Sequence, residues 1–400
     1  MRLTIHRLAV SLVLVPCCLM AAGCASLPRA PYTKADASAA QILDLRDLRR
    51  YADEPAANFT RQQVLMRGPQ TYLALSGGGA DGAYGAGVLN GWSEAGTRPA
   101  FTIVSGVSTG ALIAPFAFLG SRYDATLREF YTSGVAESLL DAPNPVKGIF
   151  GAGFFGNSQL RELVAKYIDQ DLVAAIAAEY AKGRMLFVVT TNLDAQRSAI
   201  WDMGRIASLG TAESLQLFRD VVTASASLPV VFPPMLVNAE AKGQRFQEMH
   251  VDGGVMAPVL TLPEAYLLRN AAMGDRGHVQ LYILINNKVE PEFQLIQNKT
   301  IDIASRASST MVKTQTRSIL YSTYAFATRK NFDFNLTYIE EDQPPSPSTG
   351  FDTAYMRRLF DYGYERARSN RLWSKSPPSD DRSPVAIAAA APARKFAGGR

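Results

Sequence analysis

Cysteine and histidine are scarce in this sequence of 400 residues, which contains only three of each. The cysteines are Cys17, Cys18 and Cys24, all near the N-terminus, and the histidines are scattered along the chain. Zinc sites and disulfide frameworks need several such residues at regular spacings. The sequence therefore predicts neither a metal site nor a disulfide scaffold, and nothing in it implies an organic cofactor.

Net charge is missing from the body of the chain. The formal net charge of +5 comes from the two ends, because residues 1–23 contribute +2 and residues 374–400 contribute +3. Residues 24–373 are therefore neutral overall. A nucleic-acid-binding protein needs a basic face to displace counterions, so this distribution argues against nucleic acid as a partner.

Apolar runs long enough to span a membrane are also missing. The run from Leu8 to Ala22 is shorter than the roughly 20 residues that a membrane-spanning helix needs. Arg2 and Arg7 precede it and small residues follow it, an order that is typical of an export signal. We expect residues 1–23 to be a cleaved signal peptide and the body of the chain to be soluble.

The end of this segment, residues 21–24 (AAGC), resembles the lipobox of bacterial lipoproteins, in which the cysteine is lipidated and becomes the N-terminus. The resemblance implies a membrane anchor on Cys24. Ala25 at the next position implies the outer membrane, facing the periplasm. An ordinary cleaved signal is the alternative. Residues 24–65, rich in Ala, Pro and charge, are expected to form a tether.

Short apolar runs alternate with helical patterns along the rest of the chain. The runs that we predict as buried strands include Thr71–Ser76, Phe101–Ser105, Met185–Thr191, Phe246–Val251 and Val279–Asn286. This alternation favours an α/β fold with a mainly parallel central sheet and helices on both faces. We predict one domain over residues 66–290, a C-terminal helical extension over 291–373 and a disordered tail over 374–400.

The first chemical motif, residues 106–110 (GVSTG), is a G-x-S-x-G between a predicted strand and an apolar helix. A serine nucleophile projects from a sharp strand-to-helix turn, where bulky residues two positions away would clash. This requirement explains Gly106 and Gly110 and makes Ser108 a candidate nucleophile at the N-terminus of a helix. The alternative is a tight turn with an idle serine.

A second motif, residues 77–82 (GGGADG), has the pattern G-x-G-x-x-G after the first predicted strand. A dinucleotide site would need an acidic residue at the end of the next strand, and a P-loop would need Lys followed by Ser or Thr; neither is present. Consecutive glycines also let N–H groups converge on a developing oxyanion. Gly77, Gly78 and Gly79 are therefore candidates for an oxyanion hole; the alternative is close packing of the helix that begins near Gly82.

The third motif is Asp252-Gly253-Gly254, which alone is common in plain turns. Taken in order, the three motifs and the block at residues 224–234 (ASASLPVVFPP) resemble the patatin-like phospholipase family over roughly residues 71–290. Together with the N-terminus, they resemble a bacterial patatin-like lipoprotein.

This resemblance implies a patatin-like three-layer α/β sandwich with a Ser–Asp dyad. By position, Ser108 is implied as the nucleophile and Asp252 as its base, with Gly77–Gly79 as the oxyanion hole. Asp81 departs from the Arg or Lys that the family often has before the last glycine of the loop. The implied reaction is hydrolysis of lipid carboxyl esters, those of phospholipids above all, through an acyl-serine.

Other functions remain open at this point. A general esterase, lysophospholipase or thioesterase would use the same site, and a catalytically silent lipoprotein that binds lipid or protein is the alternative from another class. Residues Ile149–Phe155 (IFGAGFF) are apolar and glycine-hinged, so they form either a lid over acyl chains or a loop folded into the core.

Basicity is the physical difficulty of a Ser–Asp dyad, because a carboxylate with an ordinary pKa near 4 is a feeble base. Desolvation raises such a pKa, so we expect Asp252 to contact Ser108 in a water-poor cleft. A histidine triad is the alternative. His250 shares a strand face with Asp252, and His278 follows it, but we expect both histidines to be structural.

Overall fold

The computed structural model describes residues 29–59, 69–140, 156, 158–267, 278–340, 343, 350–369 and 372–378. Three parts of the sequence prediction lie outside these residues: the signal segment with Cys24, the apolar segment Ile149–Phe155, and the C-terminal tail beyond residue 378. Within the described part of the chain, none of the helices combines the length and the apolar character that crossing a bilayer demands.

The strands are β1 (Arg49–Tyr51), β2 (Gln70–Leu75), β3 (Ile103–Val107), β4 (Met185–Asn192), β5 (Arg197–Asp202), β6 (Met235–Ala241), β7 (Gln244–Asp252), β8 (Val279–Lys288) and β9 (Asp333–Ile339). The helices are α1 (Lys34–Ala39), α2 (Gly82–Glu94), α3 (Thr109–Leu119), α4 (Asp124–Thr132), α5 (Ser158–Tyr167), α6 (Gln170–Ala181), α7 (Met203–Ala207), α8 (Ala212–Ser225), α9 (Glu264–Leu267), α10 (Thr300–Lys330) and α11 (Thr353–Arg368). Two 3-10 turns, Gly79–Asp81 and Gly253–Val255, follow β2 and β7.

These strands form one sheet in the order β1-β5-β4-β3-β2-β8-β9, with the β6–β7 hairpin joined to it through β4. The five strands β4, β3, β2, β8 and β9 run parallel, whereas β5 and β1 are added antiparallel at one edge. The predicted α/β class is confirmed. Its parallel part extends from β4 to the last strand, β9, and the antiparallel pairings lie on the β4 side.

Both faces of the central strands are buried, which explains why these strands are apolar throughout. Leu73 of β2 belongs to the larger core cluster, which also contains residues of α2, α3, α8 and α11. The neighbouring Tyr72 points to the opposite face and packs in a second cluster with Leu320 of α10. Helices therefore cover the sheet on both sides, as the alternation of strand and helix predicts.

The segment expected to be a tether, residues 24–65, belongs to the folded body over residues 29–59. Arg29 makes a two-pronged ion pair with Asp194, with N–O distances of 2.7 and 2.8 Å. Strand β1 pairs with β5, and Leu48 just before it is 1% exposed. Apolar side chains that bury themselves in the body, rather than solvated ones, hold this part of the segment in place.

The segment 291–373, predicted as a helical extension, contributes a strand as well, because β9 continues the parallel sheet beside β8. Its last helix, α11, packs on α2 in backbone contact: a Cβ at Gly87 would lie 2.0 Å from the carbonyl oxygen of Phe360. Gly85 faces the sheet instead and donates its N–H to Asn286 Oδ1 at 3.0 Å. The glycine-rich helix is thus wedged between the sheet and α11.

Candidate active site

Ser108 lies at the turn where β3 ends and α3 begins. Its backbone has φ 56° and ψ −124°, a conformation that residues with a side chain rarely adopt. Glycines make the turn possible, since a Cβ at Gly106 would lie 2.3 Å from the carbonyl oxygen of Gly110, and a Cβ at Gly110 would lie 2.5 Å from that of Leu75. The turn presents the Ser108 side chain, partly exposed, at the carboxyl end of β3.

Strand β4 is the template that brings Asp252 to this turn. Along one side of β4, Val189 faces Val107 of β3, and the next residue, Thr190, faces Asp252 of β7. Because β3 is parallel to β4 and β7 is antiparallel to it, the carboxyl ends of β3 and β7 meet head to head. Ser108 and Asp252 therefore become neighbours although they are far apart in the sequence.

The Ser108 hydroxyl lies against the carboxylate of Asp252, close enough to lower the pKa of that group. Asp252 is 2% exposed, and burial raises its pKa to about 6, although the hydrogen bonds from Ser108 and from the backbone N–H of Gly254 lower it. The Gly254 nitrogen lies 2.7 Å from Asp252 Oδ1. Such a carboxyl group is ionised at neutral pH and is a stronger base than an ordinary aspartate.

Gly253, which directly follows Asp252, packs closely against the main chain of β4. A Cβ at this position would lie 2.4 Å from the carbonyl oxygen of Val189, which is fixed in the sheet. The first glycine of the D-G-G motif is therefore needed for packing as well as for the turn. Only a glycine lets the chain leave β7 this close to β4.

Ser225, the last residue of α8, supports the serine turn. It is 0% exposed, and its hydroxyl donates to the carbonyl oxygen of Val189 at 2.6 Å. The Ser225 hydroxyl oxygen in turn accepts a hydrogen bond from the backbone N–H of Ser108 at 3.0 Å. The sequence block at residues 224–234 signalled the family, but no pattern in it indicated this contact.

Ser227, two residues further on, supports the other side of the site through its main chain. Its carbonyl oxygen accepts the backbone N–H of Asp252 at 3.0 Å. Its hydroxyl turns away and donates to the carbonyl oxygen of Thr223 at 2.8 Å. One short block thus holds the main chain of both candidate catalytic residues.

The glycine loop lies alongside Ser108, because a Cβ at Gly77 would be 3.1 Å from Ser108 Cβ. The Gly77 N–H is already engaged and donates to the carbonyl oxygen of Pro258 at 3.0 Å. Among the backbone hydrogen bonds of the described residues outside regular elements, Gly78 and Gly79 do not act as donors. Of the three predicted oxyanion glycines, these two therefore have amides to offer a substrate.

Asn286 at the end of β8 fixes this loop, and the sequence analysis missed it. Its Nδ2 donates to the carbonyl oxygen of Ser76 at 2.9 Å, and its backbone N–H donates to Ser76 Oγ at 2.8 Å. A Cβ at Gly78 would lie 1.9 Å from the Asn286 carbonyl oxygen. A polar residue at the end of the apolar run VQLYILIN was the available signal.

Asp81, which departs from the family pattern, is buried and accepts a hydrogen bond from the Tyr355 hydroxyl at 2.8 Å. Tyr355 belongs to α11. This position therefore ties the glycine loop to the C-terminal helix, whereas an Arg or Lys would place a positive charge there.

Neither histidine is placed to serve as a base for Ser108. His250 is buried with both ring nitrogens engaged: Nδ1 lies 2.8 Å from Thr190 Oγ1 and Nε2 lies 3.2 Å from Glu248 Oε2. Burial lowers the His250 pKa, while Glu248 opposes the shift. His278 precedes β8 at the amino edge of the sheet, where Nε2 lies 2.7 Å from Asp333 Oδ2.

A serine on a strand-turn-helix elbow beside a buried carboxylate, at the edge of an α/β sheet, defines a hydrolase-type site. Residues 73–263 match the family model Patatin, described as patatin-like phospholipase. This part of the chain is therefore a patatin-like phospholipase domain, which belongs to a family of lipid hydrolases, and the resemblance found in the sequence is confirmed.

Two solved structures are similar to this chain at low sequence identity. VipD from Legionella pneumophila is 14% identical, with 76% of this chain and 66% of that chain covered and a TM-score of 0.36. The type III effector protein ExoU is 13% identical, with 75% of this chain and 53% of that chain covered and a TM-score of 0.23. The chain thus spans just under two thirds of the first protein and about half of the second. No curated protein matches the chain significantly.

Proposed function

We propose that this protein hydrolyses the carboxyl esters of phospholipids, with Ser108 as the nucleophile and Asp252 as its general base. The observation that carries the proposal is the placement of a hydroxyl on a strained elbow beside a buried carboxylate whose pKa is raised to about 6. The patatin-like phospholipase domain supports a lipid as the substrate.

In the first half-reaction, the Asp252 carboxylate accepts the hydroxyl proton as Ser108 Oγ attacks the ester carbonyl carbon. The carbonyl oxygen takes the electron pair and becomes an oxyanion. When the carbonyl re-forms, the alcohol part of the lipid leaves with the proton from Asp252, and an acyl-serine remains. Water then attacks the acyl-serine, with Asp252 again accepting and returning the proton, and the fatty acid is released. The reaction needs no cofactor.

The oxyanion is stabilised in this mechanism by the N–H groups of Gly78 and Gly79. Preorganised donors of this kind act where charge develops and are worth roughly 100-fold or more in rate. Gly77 would shape the loop instead, since its own N–H donates to Pro258. The tight contact between Gly78 and Asn286 keeps the loop in place.

Exposed apolar side chains close to the dyad in the sequence support a lipid substrate. Leu228 and Val230 follow the two supporting serines and are 49% and 57% exposed, and Val255 and Met256 follow the D-G-G motif at 40% and 39%. Val230 also has φ 73°, an uncommon and strained conformation for a β-branched residue. Apolar side chains held in solvent beside a site are typical of surfaces that meet lipid or protein.

We also propose that Cys24 carries a lipid anchor in the outer membrane, facing the periplasm. Arg29 is bound at Asp194, which lies just past the end of β4. The five residues from Cys24 to Arg29 span at most about 18 Å. Such an anchor would hold the carboxyl edge of the sheet near the membrane. Labelled palmitate should enter the wild-type protein and not Cys24→Ser; equal labelling of the two would refute the anchor.

A fluorophosphonate probe tests the proposed chemistry directly, because it reacts with an activated serine. It should label the full-length wild-type protein but not Ser108→Ala. A folded wild type without labelling would make this a silent, lipid-binding lipoprotein. Labelling combined with cleavage of short esters, thioesters or lysophospholipids, but not of diacyl phospholipids, would make it a general esterase, thioesterase or lysophospholipase.

A further inference from the structure

The Ser225 hydroxyl takes a place in the sheet that main-chain groups usually fill. Val107 of β3 and Val189 of β4 face each other as the last pair of the parallel ladder. The amide of the next residue, Ser108, is joined to the Val189 carbonyl through Ser225 Oγ, at 3.0 and 2.6 Å. A side chain from α8 thus continues the ladder by one bond, at the point where β3 turns away into the elbow.

This bridge bears on the geometry of the nucleophile. A backbone at φ 56° is strained and persists only where the surrounding structure holds it. The Ser108 amide is one bond from the Cα that carries the side chain, so fixing the amide helps to fix the direction of the Cα–Cβ bond, from which Oγ reaches towards Asp252. The bridge is shielded from solvent, since Ser225 is 0% exposed. Hydrogen bonds in such surroundings are strong and costly to break.

We propose that Ser225 is a positioning residue for the nucleophile: its hydroxyl locks the Ser108 amide to β4 and so keeps the serine oxygen in line with its base. The proposal rests on the proposed function, because it concerns the rate at which Ser108 is acylated. Ser225 itself touches neither the substrate nor the reacting oxygen. Its loss should slow acylation without weakening substrate binding.

The same helix offers a matched control in Thr223. This residue is 1% exposed, lies in the last turn of α8, and donates its hydroxyl to the carbonyl oxygen of Arg219 at 2.8 Å. Thr223→Val deletes a buried hydroxyl near the end of the helix, as Ser225→Ala does. Only the Ser225 hydroxyl reaches the elbow, so a purely structural role would give the two variants similar effects.

The experiment compares the full-length wild type, Ser225→Ala and Thr223→Val by fluorophosphonate acylation rate, by kcat and KM on a short soluble ester, and by thermal unfolding. Displacing a reacting group by about 1 Å can cost about 100-fold in rate. We therefore expect Ser225→Ala to lower kcat and the acylation rate by about 10- to 100-fold, with KM unchanged. Thr223→Val should react at nearly the wild-type rate even where its unfolding temperature falls as far.

Equal rates in the two variants, or losses that follow the unfolding temperature in both, would overturn the proposal. If Ser225→Ala does not fold, Ser225→Cys replaces it, since a thiol is a weaker donor and acceptor; it should then react more slowly than wild type at unchanged KM. A wild type without acylation or ester hydrolysis would instead refute the proposed function, so the two failures are distinguishable.

Discussion

The parallel strands all begin at the amino edge of the sheet and end at its carboxyl edge. The polar groups at these two edges are satisfied in different ways. At the amino edge, Nε2 of His278 lies 2.7 Å from Oδ2 of Asp333, and both side chains are about half exposed. At the carboxyl edge, Asp252 is buried, and its carboxylate accepts a hydrogen bond from the Gly254 amide and lies beside the Ser108 hydroxyl. Ser108 beside it has a strained backbone. The polar side chains at the amino edge are exposed and can also form hydrogen bonds with water. Asp252 at the carboxyl edge is buried and depends on partners within the protein.

Two groups at the carboxyl edge, the ionised Asp252 carboxylate and the Ser108 backbone, therefore destabilise the folded state. A pKa raised from 3.8 to about 6 corresponds to roughly 3 kcal/mol against the ionised carboxylate. A strained backbone residue adds roughly 1–3 kcal/mol. Such costs persist only where the core of the protein over-determines the structure, and groups perturbed in this way cluster at functional sites.

The largest expected effect comes from removing the base. Asp252→Asn keeps an acceptor for the Gly254 amide but cannot take up a proton. Because general bases contribute about 100- to 10,000-fold, we expect kcat/KM on a short ester to fall within that range. Activity within tenfold of wild type would show that Asp252 is not the base.

The glycines at the two edges should respond differently to a methyl group. Gly253→Ala brings a Cβ to within 2.4 Å of a fixed carbonyl oxygen, so we expect a loss of about 1–3 kcal/mol and a strong loss of activity. Gly183 before β4 has open space around it but φ 89°. Gly183→Ala should therefore lose about 1 kcal/mol and keep its activity. Urea unfolding and ester assays check both variants, and an active Gly253→Ala would contradict the packing argument.

Acidification should lower the rate of ester hydrolysis. Because the proposed base must be ionised and its pKa is about 6, kcat/KM should be level above that pH and fall by about tenfold per pH unit below it. The pH–rate profile of a soluble ester measures this. A profile with its inflection near pH 4, the ordinary aspartate value, would show that burial does not tune this group.

The stability of Asp252→Asn should vary with pH in the sense set by the raised pKa. Between pH 4 and 6 the folded protein binds the proton more tightly than the unfolded chain, so wild-type stability falls as pH rises through this window. The variant avoids that loss. Its free energy of unfolding should exceed that of wild type at pH 8 by up to about 3 kcal/mol, and the excess should vanish near pH 4. An excess that stays constant between these pH values would contradict this reading.

The smallest effect is expected at the amino edge. Exposed polar side-chain contacts contribute about 0–1 kcal/mol even when they are charged, so His278→Ala should change stability very little and leave ester hydrolysis within about twofold. A folded His278→Ala protein without activity would make this histidine part of the catalytic machinery and would reverse the comparison of the two edges.

The sequence was informative wherever a local rule applied. Apolar runs located β2, β3, β4 and β8, and glycine spacing located the elbow at Ser108, because sharp turns and close approaches restrict which residues fit. The D-G-G motif at Asp252 gained its meaning only from its order among the other motifs. The contact of Asp252 with Ser108 depends on which side of β4 the β6–β7 hairpin pairs with. No local sequence pattern determines that side.

Features that depend on distant parts of the chain could not be predicted. Strand β1 has only three residues, and β9 mixes polar with apolar residues, so neither shows the continuous apolar run that marks the central strands. The Ser225 bridge and the Asn286 clamp on the glycine loop are side-chain contacts across the fold. Single polar residues in apolar surroundings are a weak signal in a sequence, although their burial makes their hydrogen bonds important.

Because Ser108 follows β3 and Asp252 ends β7, the proposed reaction centre exists only when both strands are paired with β4. A chain in which the hairpin has not yet docked contains the serine elbow but holds it apart from its proton acceptor. If the proposed function holds, partly folded molecules should not cleave lipids, and hydrolysis would report that the pairing of β4 with β7 is complete.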